Sequence, residues 1–308
     1  LVLVAVYGAG MALFGPAFDA IVPDIVPSRL LAQANALDLF VRPAALRLAG
    51  PALGGWLIAA AGPGGAFLLD AASFAVSIGC LLALRPPASP GAGEGSVLRQ
   101  ILEGFRYVRG QVWLWGTFLA ATIAYMLFMG PTEVLLPFVV KNNLAGDAGD
   151  LGLVFAFGGV GALGAALLVG HRGMPRRSMV LMYACWAAAT FTVAAYGVAS
   201  RLWQVMAASL VFNALETAGT VIWATTKHRL IPAALLGRVS SLDWFISLGL
   251  LPLSFALTGV AAGVFGERGT LIGAGLLGGA ATLVFLFLPG MRAIEWAGEQ
   301  RSPVAGGG

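Results

Sequence analysis

A chain of 308 residues that is 59% hydrophobic and only 10% charged cannot hide its apolar surface in one water-soluble core, since soluble domains carry roughly 45–50% apolar and ~25% charged residues. The net charge of +4 would suit a nucleic-acid surface, but the basic residues gather in particular loops between apolar runs, which fits a membrane instead. Two cysteines, Cys80 and Cys185, both inside apolar runs, make neither a disulfide framework nor a metal cluster, so no metal and no cofactor are expected.

The chain opens LVLVAVYG, with no charged leader region. It reads as a polypeptide that starts inside an apolar segment, and not as a signal peptide. A spanning helix needs ~20 mostly apolar residues. Nine stretches qualify: 1–21, 42–61, 65–84, 113–139, 150–170, 178–199, 202–225, 241–264 and 269–289. Breakers such as Gly62-Pro63-Gly64-Gly65 punctuate them. Alternate loops and the tail carry all the basic residues except Lys141, Arg201 and Arg268. The positive-inside rule makes the richer loops cytoplasmic and brings the C-terminus to the cytoplasmic side.

The longest polar stretch runs from Arg85 to Arg109. Its RPPASPGAGEGS part is a linker composition. In SVLRQILEGFRYVRG, Val97, Ile101, Phe105 and Val108 share one helical face. This predicts an amphipathic helix along the cytoplasmic membrane surface, although an ordinary solvated helix has the same periodicity. The expected organisation is therefore 1–84 as three helices of one half, 85–112 as a cytoplasmic linker, 113–290 as a six-helix half and 291–308 as a disordered tail.

VPSRLLAQANALDLF, from Val26, returns 205 residues later as IPAALLGRVSSLDWF, from Ile231. Pro27, Leu37, Asp38 and Phe40 match Pro232, Leu242, Asp243 and Phe245, and at the same offset Gly54 meets Gly259. The first three spans thus correspond to the last three. The middle three have no counterpart in the chain, so three helices are expected upstream of Leu1. On its own, the 308-residue chain is then expected to transport nothing. Internal repeats in a membrane point to a transporter with its substrate site near the midplane.

Two six-helix halves, a basic central linker and inward termini resemble the major facilitator superfamily. The stretches ALFGPAFDAIVPDIVP, LLAQANAL, GPALGGWL followed by DAASF, EGFRYVRG and IPAALLGRVSSLD resemble more narrowly its bacterial drug- and siderophore-exporter branch, the enterobactin- and macrolide-efflux relatives. The resemblance implies an all-α membrane protein with the major facilitator fold, of which nine of twelve transmembrane helices, four to twelve, are present. It implies a secondary exporter of hydrophobic or amphipathic small molecules, driven by proton antiport and alternating access, and linked to drug resistance. The partners would be that substrate, protons and the lipid bilayer. The protein would be a monomer in a bacterial inner membrane, with no enzymatic activity.

Gly50-Pro51-Ala52-Leu53-Gly54-Gly55 resembles the antiporter signature GPxxGG of such exporters. The glycines bare one helix face for close approach, and Pro51 removes a helix hydrogen bond and favours bending. The longer family pattern has a further Gly where this chain has Leu46. Asp38, Arg42 and Arg47, with Arg238 and Asp243 in the second copy, read as a cytoplasmic charge belt latching the halves in one state; headgroup contacts would explain them equally well. Three acids lie inside spans, Asp70, Glu133 and Glu216. Intramembrane carboxylates are costly and mark proton or substrate paths unless they are structural. Glu216, nearest a span centre, is the first choice for proton coupling or a cationic substrate, Glu133 the second. Tyr125, Phe128, Asn213 and Trp223 share spans with two of these acids and would line an aromatic cavity.

His171-Arg-Gly-Met-Pro-Arg-Arg177 looks like a worn copy of the family's charged turn, with the Asp missing. Two G-x-G-x-x-G runs, at Gly159 and Gly273, follow no strand and read as helix-packing glycines. No phosphate loop, HExxH or GxSxG is present. The rivals are a uniporter or importer on the same scaffold, and a non-transporting sensor or scaffold with a dry centre. The Arg to Lys ratio with abundant Ala and Gly points to a GC-rich bacterial genome.

Overall fold

The computed structural model describes residues 10, 14, 25, 41, 45, 50–83, 97–172, 175–293 and 295. The chain divides into two compact units, Leu1–Gly95 and Ser96–Gly308. Among the described residues every regular element is helical.

In the first unit, α1 covers Gly50–Ala83 and is broken at Gly62, with φ 69° and ψ 172°. Only glycine occupies that backbone region without strain, and Pro63 follows, whose fixed φ and missing N–H suit the first position of a new helix. The break falls where the Gly/Pro cluster predicts one between two spans.

The second unit repeats the device. It contains α2 (Val97–Arg109), α3 (Val112–Phe138), α4 (Ala148–Arg172), α5 (Ser178–Val198), α6 (Leu202–Leu230), α7 (Ala233–Leu248) and α8 (Leu251–Leu286). Inside α8, Gly266 has φ 71° and ψ 165°. A glycine break of closely similar conformation thus recurs in both units, one residue short of the 205-residue register.

Six stretches among the described residues are long and apolar enough to cross a membrane: Ala60–Ala83, Val112–Asn143, Ala148–Arg172, Ser178–Val198, Leu202–Leu230 and Ala234–Leu286. The last has 53 residues. At ~1.5 Å per residue it would run about 80 Å, well beyond the ~30 Å of a hydrocarbon core. It is long enough for two crossings, and Gly266 supplies the break between them. The expected span 241–264 is redrawn here: its helix starts earlier, at Ala233, and is interrupted at Gly249–Leu250. Pro252, in the first turn of α8, has no N–H to continue the ladder, so a new helix starts there.

Glycines let these helices meet. Gly161 of α4 lies against the Leu210 backbone of α6, Gly275 of α8 against Ala194 of α5, and Gly130 of α3 against Ser254 of α8. The Gly130 N–H donates to Ser254 Oγ at 2.9 Å, next to Pro131, which interrupts the α3 ladder. At the start of α4, Asp147 and Asp150 cap each other's backbone N–H groups at 2.9 and 3.1 Å.

Two apolar clusters occupy opposite ends of the unit. One gathers Trp113, Leu114, Phe118, Tyr183, Ile222, Val239 and Met291. These come from the starts of α3, α5 and α7, the end of α6, and the segment after α8, which identifies the helix ends sharing one side. The other gathers Leu135, Val139, Val154, Val193, Tyr196, Val205 and Leu271. The arginines and lysines sort in the same way. Arg172, Arg177, Lys227, Arg229, Arg238 and Arg292 fall at the first end, and Lys141, Arg201 and Arg268 at the second.

Candidate functional site

Between the two clusters lies a cavity of about 40 Å³. That volume holds a few waters and no drug-sized ligand. Its walls come from four helices: Ala120, Ala124, Tyr125 and Phe128 of α3, Trp186 and Thr190 of α5, Phe212 and Glu216 of α6, and Thr282 of α8. Small residues on α3 leave the space, and aromatic rings close it. Tyr125 and Phe128 are 5.6 Å apart and Phe128 and Phe212 5.9 Å apart, the latter edge to face, a favourable arrangement of ring quadrupoles.

Glu216 is the central residue of the 29-residue α6 and is half-buried. Its Oε1 accepts from Thr220 Oγ1 at 3.0 Å. The i, i+4 spacing stacks the two side chains on one face. Thr220 in turn accepts from Trp186 Nε1 at 3.4 Å. Gly219 gives the indole its place, since a Cβ there would collide with the Trp186 ring. The carboxylate is therefore oriented by a hydroxyl and an indole on two helices and borders the cavity.

The other two intramembrane acids are elsewhere. Glu133 is exposed on α3 and does not line the cavity. Asp70 lies in the second piece of α1 in the first unit, and its backbone carbonyl accepts from Ser73 Oγ at 2.7 Å. The aromatic set divides as well. Tyr125 and Phe128 line the cavity. Asn213 is buried against Gly158 of α4 and bonds the Ser209 carbonyl at 2.8 Å. Trp223 belongs to a second polar cluster.

That second cluster surrounds Asp243. Its Oδ2 accepts from Lys227 Nζ at 2.6 Å and from Trp223 Nε1 at 2.9 Å, and its Oδ1 from Ser247 Oγ at 3.0 Å. Lys227 and Asp243 are both 91% buried. The Lys227 ammonium also sits 5.2 Å from the Trp223 ring centre, a cation–π contact. Arg238 does not join Asp243. It pairs instead with Glu103 of α2 at 2.8 Å. Asp38, Arg42 and Arg47 lie outside the described residues. Gly50, Pro51, Gly54 and Gly55 fall in the first two turns of α1.

Lys227 and Trp186 escape sequence reasoning as site residues. Lys227 counts there only as a loop charge. The available signal was the spacing Trp223, Lys227, which stacks ring and ammonium on one helix face in a chain with only one other lysine, Lys141.

Comparison with known proteins decides the family. The model of the transmembrane secretion effector family matches residues 1–304. The chain belongs to that family, within the major facilitator transporters. Two relatives agree with that family. An uncharacterised MFS-type transporter, y4rN, of Sinorhizobium fredii (strain NBRC 101917 / NGR234) is 30% identical over 246 residues, covering 78% of this chain and 59% of the relative. The multidrug efflux pump Tap of Mycolicibacterium fortuitum is 28% identical over 267 residues, covering 82% of this chain and 62% of the pump. The chain thus spans about three fifths of the length of the curated relatives it matches. The family is one of multi-pass membrane transporters, not of enzymes.

Proposed function

We propose that the protein is a secondary exporter of hydrophobic or amphipathic small molecules, coupled to inward proton movement, in which this chain supplies helices four to twelve of a twelve-helix fold. The observation that carries the reading is Glu216, placed at the centre of α6, on the edge of an aromatic cavity that four helices enclose. A carboxylate in that setting takes up and releases protons as access alternates, and when ionised it attracts a cationic substrate. The efflux assignment of one relative supports the direction of transport. The recurrence of the Gly62 geometry at Gly266 supports two repeated halves moving against each other.

In this reading GPALGG of α1 is the antiporter motif and the arginine-rich end is cytoplasmic, in a bacterial inner membrane. The small cavity then belongs to a state closed to the substrate, and the Lys227–Asp243 pair locks α6 to α7 on the cytoplasmic side of it. The test is to reconstitute the full-length protein in vesicles and impose a pH gradient. Substrate flux should follow the gradient, and Glu216→Gln should abolish the dependence. Flux that ignores the gradient in the unaltered protein would rule out proton antiport.

A further inference from the structure

The amphipathic helix α2 has one broad apolar face, and the protein buries one side of it. Gly104 and Val108 are buried and Tyr107 is half-buried. Gly104 rests on Arg238 and Leu242 of α7. Around the helix from these lie Ile101, Leu102 and Phe105, each about half exposed. Arg99, Arg106 and Arg109 are exposed beside them. The shared face expected for Val97, Ile101, Phe105 and Val108 is thus divided: Val108 joins the core, while Ile101 and Phe105 face outward.

Charge and position bear on what covers the outward face. Glu103, the acid of α2, is engaged by Arg238 at 2.8 Å and by Arg99 at 3.4 Å. Arg106 and Arg109 form no ion pair among the described residues. α2 therefore presents an apolar stripe flanked by Arg106 and ended at its C-terminus by Arg109, two guanidinium groups without a countercharge among the described residues. It lies at the bundle end where α3 begins, which is the end carrying most of the basic residues. An apolar stripe at acyl-boundary depth with arginines at headgroup depth is the chemistry of a helix lying in an anionic leaflet.

We propose that the outward face of α2 is a docking site for anionic phospholipid, with Ile101, Leu102 and Phe105 in the acyl boundary and Arg106 and Arg109 on the headgroup phosphates. Glu103–Arg238 ties the docked helix to α7, so headgroup charge bears on the helix that holds Asp243. The proposal stands apart from the exporter reading, because it requires no substrate and no proton step.

The test is hydrogen–deuterium exchange of the α2 amides in the chain held in nanodiscs, with phosphatidylcholine alone or with about one third phosphatidylglycerol. Exchange should slow by about tenfold or more in the anionic discs, since each arginine near such a surface contributes roughly fivefold. Arg106→Gln with Arg109→Gln should remove most of that difference, high salt should do the same, and Arg106→Lys with Arg109→Lys should retain it. The Lys variants separate lost charge from lost fold. Equal exchange in both discs would overturn the proposal. So would slow exchange insensitive to lipid charge, which would mean that another protein segment covers the face.

Discussion

Glu216 and Asp243 lie on consecutive helices of one unit and are housed in opposite ways. Asp243 is 91% buried, and both its oxygens accept hydrogen bonds, from an ammonium, an indole and a hydroxyl. Glu216 is half-buried, takes a hydroxyl on Oε1 and borders a cavity with room for water. A buried carboxylate with matched donors on both oxygens is held in one geometry. A carboxylate at a cavity wall has open space beside it. The difference is one of place: Asp243 sits inside a closed set of donors that joins α6 to α7, whereas Glu216 stands at a cavity wall.

The largest effect should come from breaking the closed set around Asp243. Lys227→Met leaves Asp243 buried without its countercharge and should destabilise the protein by about 3–5 kcal/mol, read as a drop in thermal unfolding temperature in detergent. Lys227→Met combined with Asp243→Leu should recover most of that loss, because an apolar pair fits where a lone charge does not. A neutral Lys227→Met would erase the distinction between the two sites. Next comes Gly219→Ala, which drives a methyl into the Trp186 ring and should cost ~1–3 kcal/mol by the same measurement. Thr220→Val removes the hydroxyl between Trp186 and Glu216 and should cost about 1 kcal/mol. Glu216→Gln should move stability least, by less than ~1 kcal/mol, because an amide keeps an acceptor for Thr220. Its effect should appear in gradient-driven flux. A large stability loss from Glu216→Gln would make Glu216 a structural acid like Asp243.

Much of the fold was legible because apolar runs of spanning length and breakers such as Gly62-Pro63 act locally. So was the midpoint position of Glu216, which is a count along one helix. What escaped depends on how neighbouring helices are rotated and staggered. Arg238, five residues before Asp243, looks like its partner along the sequence, but the rotation of α7 turns it to Glu103 of α2 and offers Asp243 to Lys227 of α6. Asn213, three residues before Glu216, sits about 60° away around the helix at ~100° per residue, yet packing consigns it to the α4 contact. The interruption at Gly249–Leu250 lies inside an unbroken apolar run, where hydropathy alone reads straight through Pro252.

The segment after α8 has a practical side. Gly290, at φ 92°, turns the chain so that Met291 is fully buried beside Gly116. The Met291 thioether accepts weak hydrogen bonds from Tyr183 at 3.8 Å and Thr117 at 3.9 Å, and Glu295 then accepts from the Val180 N–H at 3.1 Å. Glu295 thereby serves as a borrowed N-terminal cap for α5, whose own Arg177 provides none. Anyone trimming this protein for crystallisation, or fusing a reporter to it, should cut or splice beyond Glu295, since a shorter version would leave α5 uncapped and its sulfur-filled notch open to solvent.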